Sequence, residues 1–144
     1  MITANKVILI GFVGPNPTSH ILANGSEVLK LKVATAETNL NKATSTPIRN
    51  IEWHTIIFHG KLSQTLKQNL REGALVFVEG QLKSRVRKTE GNISQHFVEI
   101  ESNNIQPLDS NLSESEVADL KEGTAAEMLE SISDDEEDWR GVPF

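Results

Sequence analysis

Ile51-Glu-Trp-His-Thr-Ile-Ile-Phe-His-Gly60 is dense in β-branched and aromatic side chains, the composition of a strand. Successive side chains on a strand point to opposite faces. Ile51, Trp53, Thr55, Ile57 and His59 therefore share one face, and Glu52, His54, Ile56 and Phe58 the other. Neither face is purely apolar. Such a strand can rest on a core and still carry flat rings outward, which suits a curved sheet used as a binding platform. Trp53 has two readings on this stretch alone: a core ring with its N–H paired, or a ring presented for stacking.

Working outward, Gly60 ends the strand, and Leu62, Leu66 and Leu70 follow at four-residue spacing, closed by Arg71-Glu-Gly73. That is one short amphipathic helix with a C-terminal stop, its leucines plugging one end of a closed sheet. Ala74 to Lys88 reads as a long strand with Gly80 in its middle, where a barrel corner would bend. Beyond the bend, Gln81, Lys83, Arg85 and Arg87 form a basic stripe on one face. Glu90-Gly-Asn92 turns the chain, and Ile93 to Ile105 returns as a strand with His96 and Val98 on one face and Phe97 and Glu99 on the other.

Upstream, Asn5 to Phe12 is a short apolar strand, Gly11 and Gly14 flank Phe12 and Val13 where a bulge or sharp bend is expected, and Pro15-Asn-Pro17 starts a loop. Asn24-Gly25 signals a turn into a strand over Ser26–Ala36. There Leu29, Leu31 and Val33 should face the core, and Lys30 and Lys32 should face solvent or a phosphate backbone. Glu37 to Asn50 is polar and reads as a long hairpin loop; a loop of that length is uncommon without a task.

There are 144 residues, no cysteine and no apolar run long enough for a membrane span. The N-terminus lacks a signal-peptide pattern, so a cytoplasmic protein with no membrane contact is expected. The net charge of −6 hides a partition. Residues 1–107 carry 12 Lys and Arg against 8 Asp and Glu, while residues 108–144 carry 2 against 12. A mildly basic body suits a polyanion, and an acidic tail suits either solubility or a second partner.

Five strands with a helix between the third and fourth give an all-β chain laid out as an oligonucleotide-binding (OB) fold, a five-stranded Greek-key barrel. A small sandwich is the competing architecture. The expected domains are an OB-fold domain over 1–107, a disordered linker over 108–133 and an acidic interaction tip over 134–144. Within the linker, Ser113 and Glu116 are spaced as a helix capping box. The tip runs Asp134, Asp135, Glu136, Glu137, Asp138 into Trp139, Pro143 and Phe144, a peptide-ligand pattern of aromatic anchors behind steering charge.

The pieces Asn5-Lys-Val-Ile-Leu-Ile-Gly11, Asn24-Gly25, Ala34-Thr-Ala-Glu37, Glu52-Trp-His54, Gly60-Lys-Leu62 and Glu79-Gly-Gln-Leu82, with the terminal Pro143-Phe144, resemble bacterial single-stranded DNA-binding proteins. The resemblance implies an OB fold, a homotetramer, sequence-tolerant single-strand binding, and a tip that recruits replication, recombination and repair enzymes. It implies no cofactor, no metal and no catalytic residues. Trp53 matches a stacking position of that family. His59 stands where phenylalanine is usual, Asn39 and Arg87 where tryptophans are common, and His96 where tyrosine is frequent. Trp139-Arg-Gly-Val142 interrupts the tip where acids are usual, and the connector lacks the usual glycine, proline and glutamine run. These departures point to a divergent member or paralogue.

Bases are thus expected to stack on Trp53, His59 and His96, with Lys6, Lys30, Lys32, Lys42, Arg49, Lys61, Lys83, Arg85, Arg87 and Lys88 on phosphates. Ile8, Ile10, Ile56 and Phe58 look like more apolar surface than one small core needs, which fits subunit assembly. Two other classes stay open. A nuclease would need ligand-spaced histidines or paired carboxylates, and His20, His54, His59 and His96 lack such spacing. An oligomeric interaction module without DNA binding would leave the tail as the working part.

Overall fold

The computed structural model describes residues 1–61, 64–111 and 113–122. The expectations placed on Leu62, on 123–133 and on the tip at 134–144 lie outside these residues. The elements are β1 (Val7–Val13), β2 (Thr18–Ile21), β3 (Glu27–Leu40), β4 (Pro47–Phe58), α1 (Gln64–Asn69), β5 (Ala74–Thr89), β6 (Ile93–Asn111) and α2 (Glu114–Glu122).

The sheet order is β1-β5-β6-β4-β3-β2, and β1 also pairs with β3. That second pairing, at Phe12 with Ala34 and Val13 with Val33, closes β1, β5, β6, β4 and β3 into the five-stranded barrel of the OB fold. Inside it, Leu29, Leu31 and Val33 of β3 meet Ile56 and Phe58 of β4, Val76 and Val78 of β5, and Ile100 and Ile105 of β6. Leu70 belongs to this core and Leu66 packs against it, so α1 covers one end of the barrel. Ile56 and Phe58 are core residues, not surplus apolar surface, whereas Ile8 and Ile10 are exposed. Among the described residues, no helix is long and apolar enough to cross a membrane.

Gly80 bends β5 as its position suggested. The register slips between Glu79 and Gly80, and a methyl group on Gly80 would come 2.2 Å from the Glu101 carbonyl oxygen. Only the absence of a side chain allows so close an approach. Beyond the bend, the two strands continue as a ribbon arm, Thr89 opposite Ile93.

The structure departs from the sequence expectation in three places. First, β2 is an extra strand, four residues long, alongside the start of β3. Two prolines before it hid the signal, and four residues are too few to show a period. Second, Glu37–Asn50 is mostly paired strand. Leu40 lies opposite Pro47, and only 41–46 turn, held by hydrogen bonds from Asn41 N–H to Thr46 O and from Ser45 N–H to Asn41 O. A two-stranded ribbon with solvent on both faces needs no apolar alternation, so its ladder extends through polar sequence. Third, β6 runs past 107 to Asn111, where it is still paired with Ala74. α2 follows with the expected capping box: Ser113 N–H donates to Glu116 Oε2 at 2.8 Å, and Glu116 N–H donates to Ser113 Oγ at 3.3 Å.

Candidate nucleic-acid interface

Strand register decides what shares a surface. Across β3 and β4, Lys32 faces Thr55, Ala34 faces Trp53 and Ala36 faces Ile51. The parallel pairing of β4 with β6 sets Ile57 beside Glu101. Across β6 and β5, Glu101, Glu99, Phe97 and Gln95 lie opposite Gln81, Lys83, Arg85 and Arg87. Directly paired residues point the same way. The outer surface of β3, β4, β6 and β5 is therefore one continuous face carrying Trp53, Lys32, Lys83, Arg85 and Arg87, with Arg49 farther along the hairpin, opposite Thr38.

Trp53 is half-buried and lies outside the apolar core cluster. Its six-membered ring rests over Gly14, where a methyl group would come 2.6 Å from Cζ3 and 3.3 Å from Lys32 Cβ. Gly14 is itself fixed by its N–H donating to Lys32 O at 2.8 Å. The ring is thus seated on backbone at the outer edge of the barrel, with no room beneath for a side chain. His59 follows the end of β4. Its N–H donates to Ser102 O, and its Nε2 lies 3.7 Å from Glu101 Oε1.

The lysine face of β3 is not open. Val28, Lys30 and Ala34 are buried, with Lys30 held between Thr18 of β2 and Ile57 of β4. Lys32 is half-buried beside Trp53. Lys42 in the hairpin turn and Lys61 after Gly60 are exposed.

The basic stripe is present but largely matched by carboxylates. Arg85 Nη2 bonds Glu99 Oε1 at 2.6 Å, and its guanidinium lies 5.3 Å from the Phe97 ring centroid. Lys83 Nζ is 3.8 Å from Glu101 Oε2, and Lys6 Nζ is 3.1 Å from Glu79 Oε1. His96 and Lys88 are not gathered with these groups. His96 lies opposite Val86 and Lys88 opposite Ser94, on the reverse side of the arm with exposed Leu82, Val86 and Val98. Sequence reading passed over Phe97 as a flat ring on the outer face and over Glu99 and Glu101 as its counter-charges. The alternation with His96 and Val98 was legible, but not that β6 lies between Trp53 and the stripe.

His54 points to the other face of β4, its Nε2 paired with Thr35 Oγ1 at 2.8 Å. Burial pushes its imidazole below the ordinary value of 6.5, against the upward pull of Glu52. The unfolded chain therefore takes up a proton that the folded one resists. The His54 contribution to stability should be present above pH 6.5 and be lost as pH falls below it. Denaturant melts of wild type and His54→Gln between pH 8 and 5 should show the stability gap narrowing on acidification; a constant gap would refute this.

Residues 4–108 match the single-strand binding protein family. The chain belongs to that family. Its members are non-enzymatic proteins that bind single-stranded DNA, and the barrel is similar to many solved chains, two of which illustrate the likeness. One is a Plasmodium falciparum single-strand binding protein in complex with single-stranded DNA, at TM-score 0.67 and 28% identity over 76% of this chain and 98% of that one. The other is a deletion mutant of the Thermus aquaticus single-stranded DNA-binding protein, at TM-score 0.58 and 24% identity over 74% of this chain and 51% of that one. The second likeness concerns the fold alone. The register places Trp53 and Phe97 of this chain on the same face as Lys32, Lys83, Arg85 and Arg87.

Proposed function

We propose that this chain binds single-stranded DNA without sequence preference, along the outer face of β3, β4, β6 and β5. The observation that supports it most is the register that sets Trp53 and the cations of β3 and β5 on one surface of a family barrel. A base stacks on Trp53 because every base offers a π-face, and His59 extends the platform. Lys32, Lys42, Arg49, Lys61 and Arg87 take phosphates beside it, with Lys6, Lys83 and Arg85 available as their carboxylates yield. Lys30 acts from an enclosed position. His96 and Lys88 meet DNA only where the strand wraps to the reverse of the arm. Titration of labelled oligothymidine and of duplex DNA over a salt series tests the reading. Single strands should bind far more tightly, with affinity falling steeply in salt; equal affinity for both DNAs would overturn it.

Assembly is part of the same reading. β1 pairs with β5 over Val7–Phe12 and with β3 only at Phe12 and Val13, and Ile8 and Ile10 project outward. An apolar edge of this kind suits pairing with a second copy, and we infer a homotetramer. Light scattering at micromolar concentration should give four times the chain mass.

The tip, Asp134 to Phe144, is proposed to recruit replication, recombination or repair enzymes at the nucleoid. Five consecutive acids steer it to a basic rim, and Trp139, Pro143 and Phe144 anchor it. Burying the terminal ring contributes about 1.5–3 kcal/mol. A tail peptide lacking Phe144 should therefore bind such an enzyme about tenfold or more weakly by calorimetry, and equal binding would remove the anchor.

A further inference from the structure

In the sheet order β5-β6-β4, a strand of DNA running from Trp53 on β4 to the cations on β5 must cross β6. What it crosses there is acidic. Glu99 and Glu101 project from β6 on the same face as Trp53, Lys83 and Arg85. A carboxylate in the path of a polyanion repels it and also occupies the cations that would hold it.

The two carboxylates differ in how firmly they are placed. Glu99 is buried to 9% exposure and bonds Arg85 at 2.6 Å. A short, enclosed, charge-assisted bond of this kind is costly to break. Glu99 therefore holds Arg85, stacked over Phe97, more firmly than Glu101 holds Lys83. Glu101 is held loosely, with its side chain one-third exposed, Lys83 at 3.8 Å and His59 at 3.7 Å. Exposed pairs of that length contribute little and exchange readily.

We propose that Glu101 is a displaceable counter-ion on the DNA path: it occupies Lys83 and faces His59 in the free protein, and phosphate takes its place on binding. This rests on the DNA-binding reading above and deepens it, because it names the residue that holds affinity down. Binding to the wild-type face exchanges one anion for another at Lys83, so Lys83 releases fewer counter-ions from the DNA than an unoccupied lysine would.

The test is Glu101→Gln, which keeps the shape and removes the charge. Affinity for oligothymidine at low salt should rise about fivefold, and the slope of log K against log salt should steepen by about 0.7, the contribution of one added cation on a single strand. Glu27→Gln removes the same charge from a pair with Lys67 of α1, 2.7 Å apart, and should change neither quantity. In a Lys83→Gln background, Glu101→Gln should no longer steepen the slope. That arm reads coupling between the two side chains and holds even if one substitution lowers the melting temperature. Equal gains in Glu101→Gln and Glu27→Gln would assign the effect to net charge and overturn the proposal. An unchanged slope or weaker binding in Glu101→Gln would overturn it as well. A wild-type protein that does not prefer single strands would instead refute the DNA-binding reading itself, which separates the two failures.

Discussion

Replacing Trp53 with alanine is expected to weaken oligothymidine binding by about tenfold to a hundredfold while the barrel stays folded. Stacking of one base on an aromatic side chain is worth roughly 1–3 kcal/mol. The whole of that is at stake here, because Trp53 is the only tryptophan in residues 1–122. The ring rests on Gly14 at the outer edge of the barrel and is absent from the core cluster. Its removal uncovers glycine backbone and the Lys32 stem but leaves no hole in the barrel core. Fluorescence anisotropy gives the binding loss, and thermal melting without DNA gives the structural control. A stability loss as large as that of a core aromatic, with binding restored in proportion to the folded fraction, would return Trp53 to the role of a core ring.

Phe58→Ala should do the reverse. Phe58 is five residues on along the same strand, on the opposite face, and is 3% exposed. It lies opposite Leu29 on β3 and beside Ser102 on β6, and it belongs to the cluster with Val33, Ile56 and Ile100. Truncating a buried phenylalanine costs about 3–5 kcal/mol, since the lost transfer energy is joined by the cavity left behind. Against a typical total of about 5–15 kcal/mol, that takes a large part of the domain's stability. Chemical denaturation should show a lower midpoint with little change in slope. Oligonucleotide affinity, corrected for the folded fraction, should stay within about twofold, because Phe58 is not on the outer face. A strong affinity loss with stability intact would show that the two faces of β4 are not separate in function.

The contrast between these two aromatics was legible in Ile51–Gly60 before any coordinates, because the alternation of a strand is a local property of the backbone. The same is true of the stop at Gly73 and the capping pair Ser113 and Glu116, each set by residues within one or two turns of chain. The sequence alone also determined that the acids and bases are divided between tail and body. It could not determine which charges meet. Lys83 and Arg85 read as an open stripe because their partners lie 18 and 14 residues away, across the register of β5 and β6. Lys30 read as a solvent lysine, yet in the folded sheet, with Thr18 and Ile57 as its paired neighbours, it is buried. Gly14 gave no hint that it forms the seat of Trp53, which is 39 residues further along. Register and barrel closure are long-range outcomes of burying Leu31, Val33, Ile56, Val76 and Ile100 together, and a shift of one residue would turn every side chain to the other face. Residue type and alternation thus decided which side chains could work, and the closed sheet alone decided which of them stand beside one another.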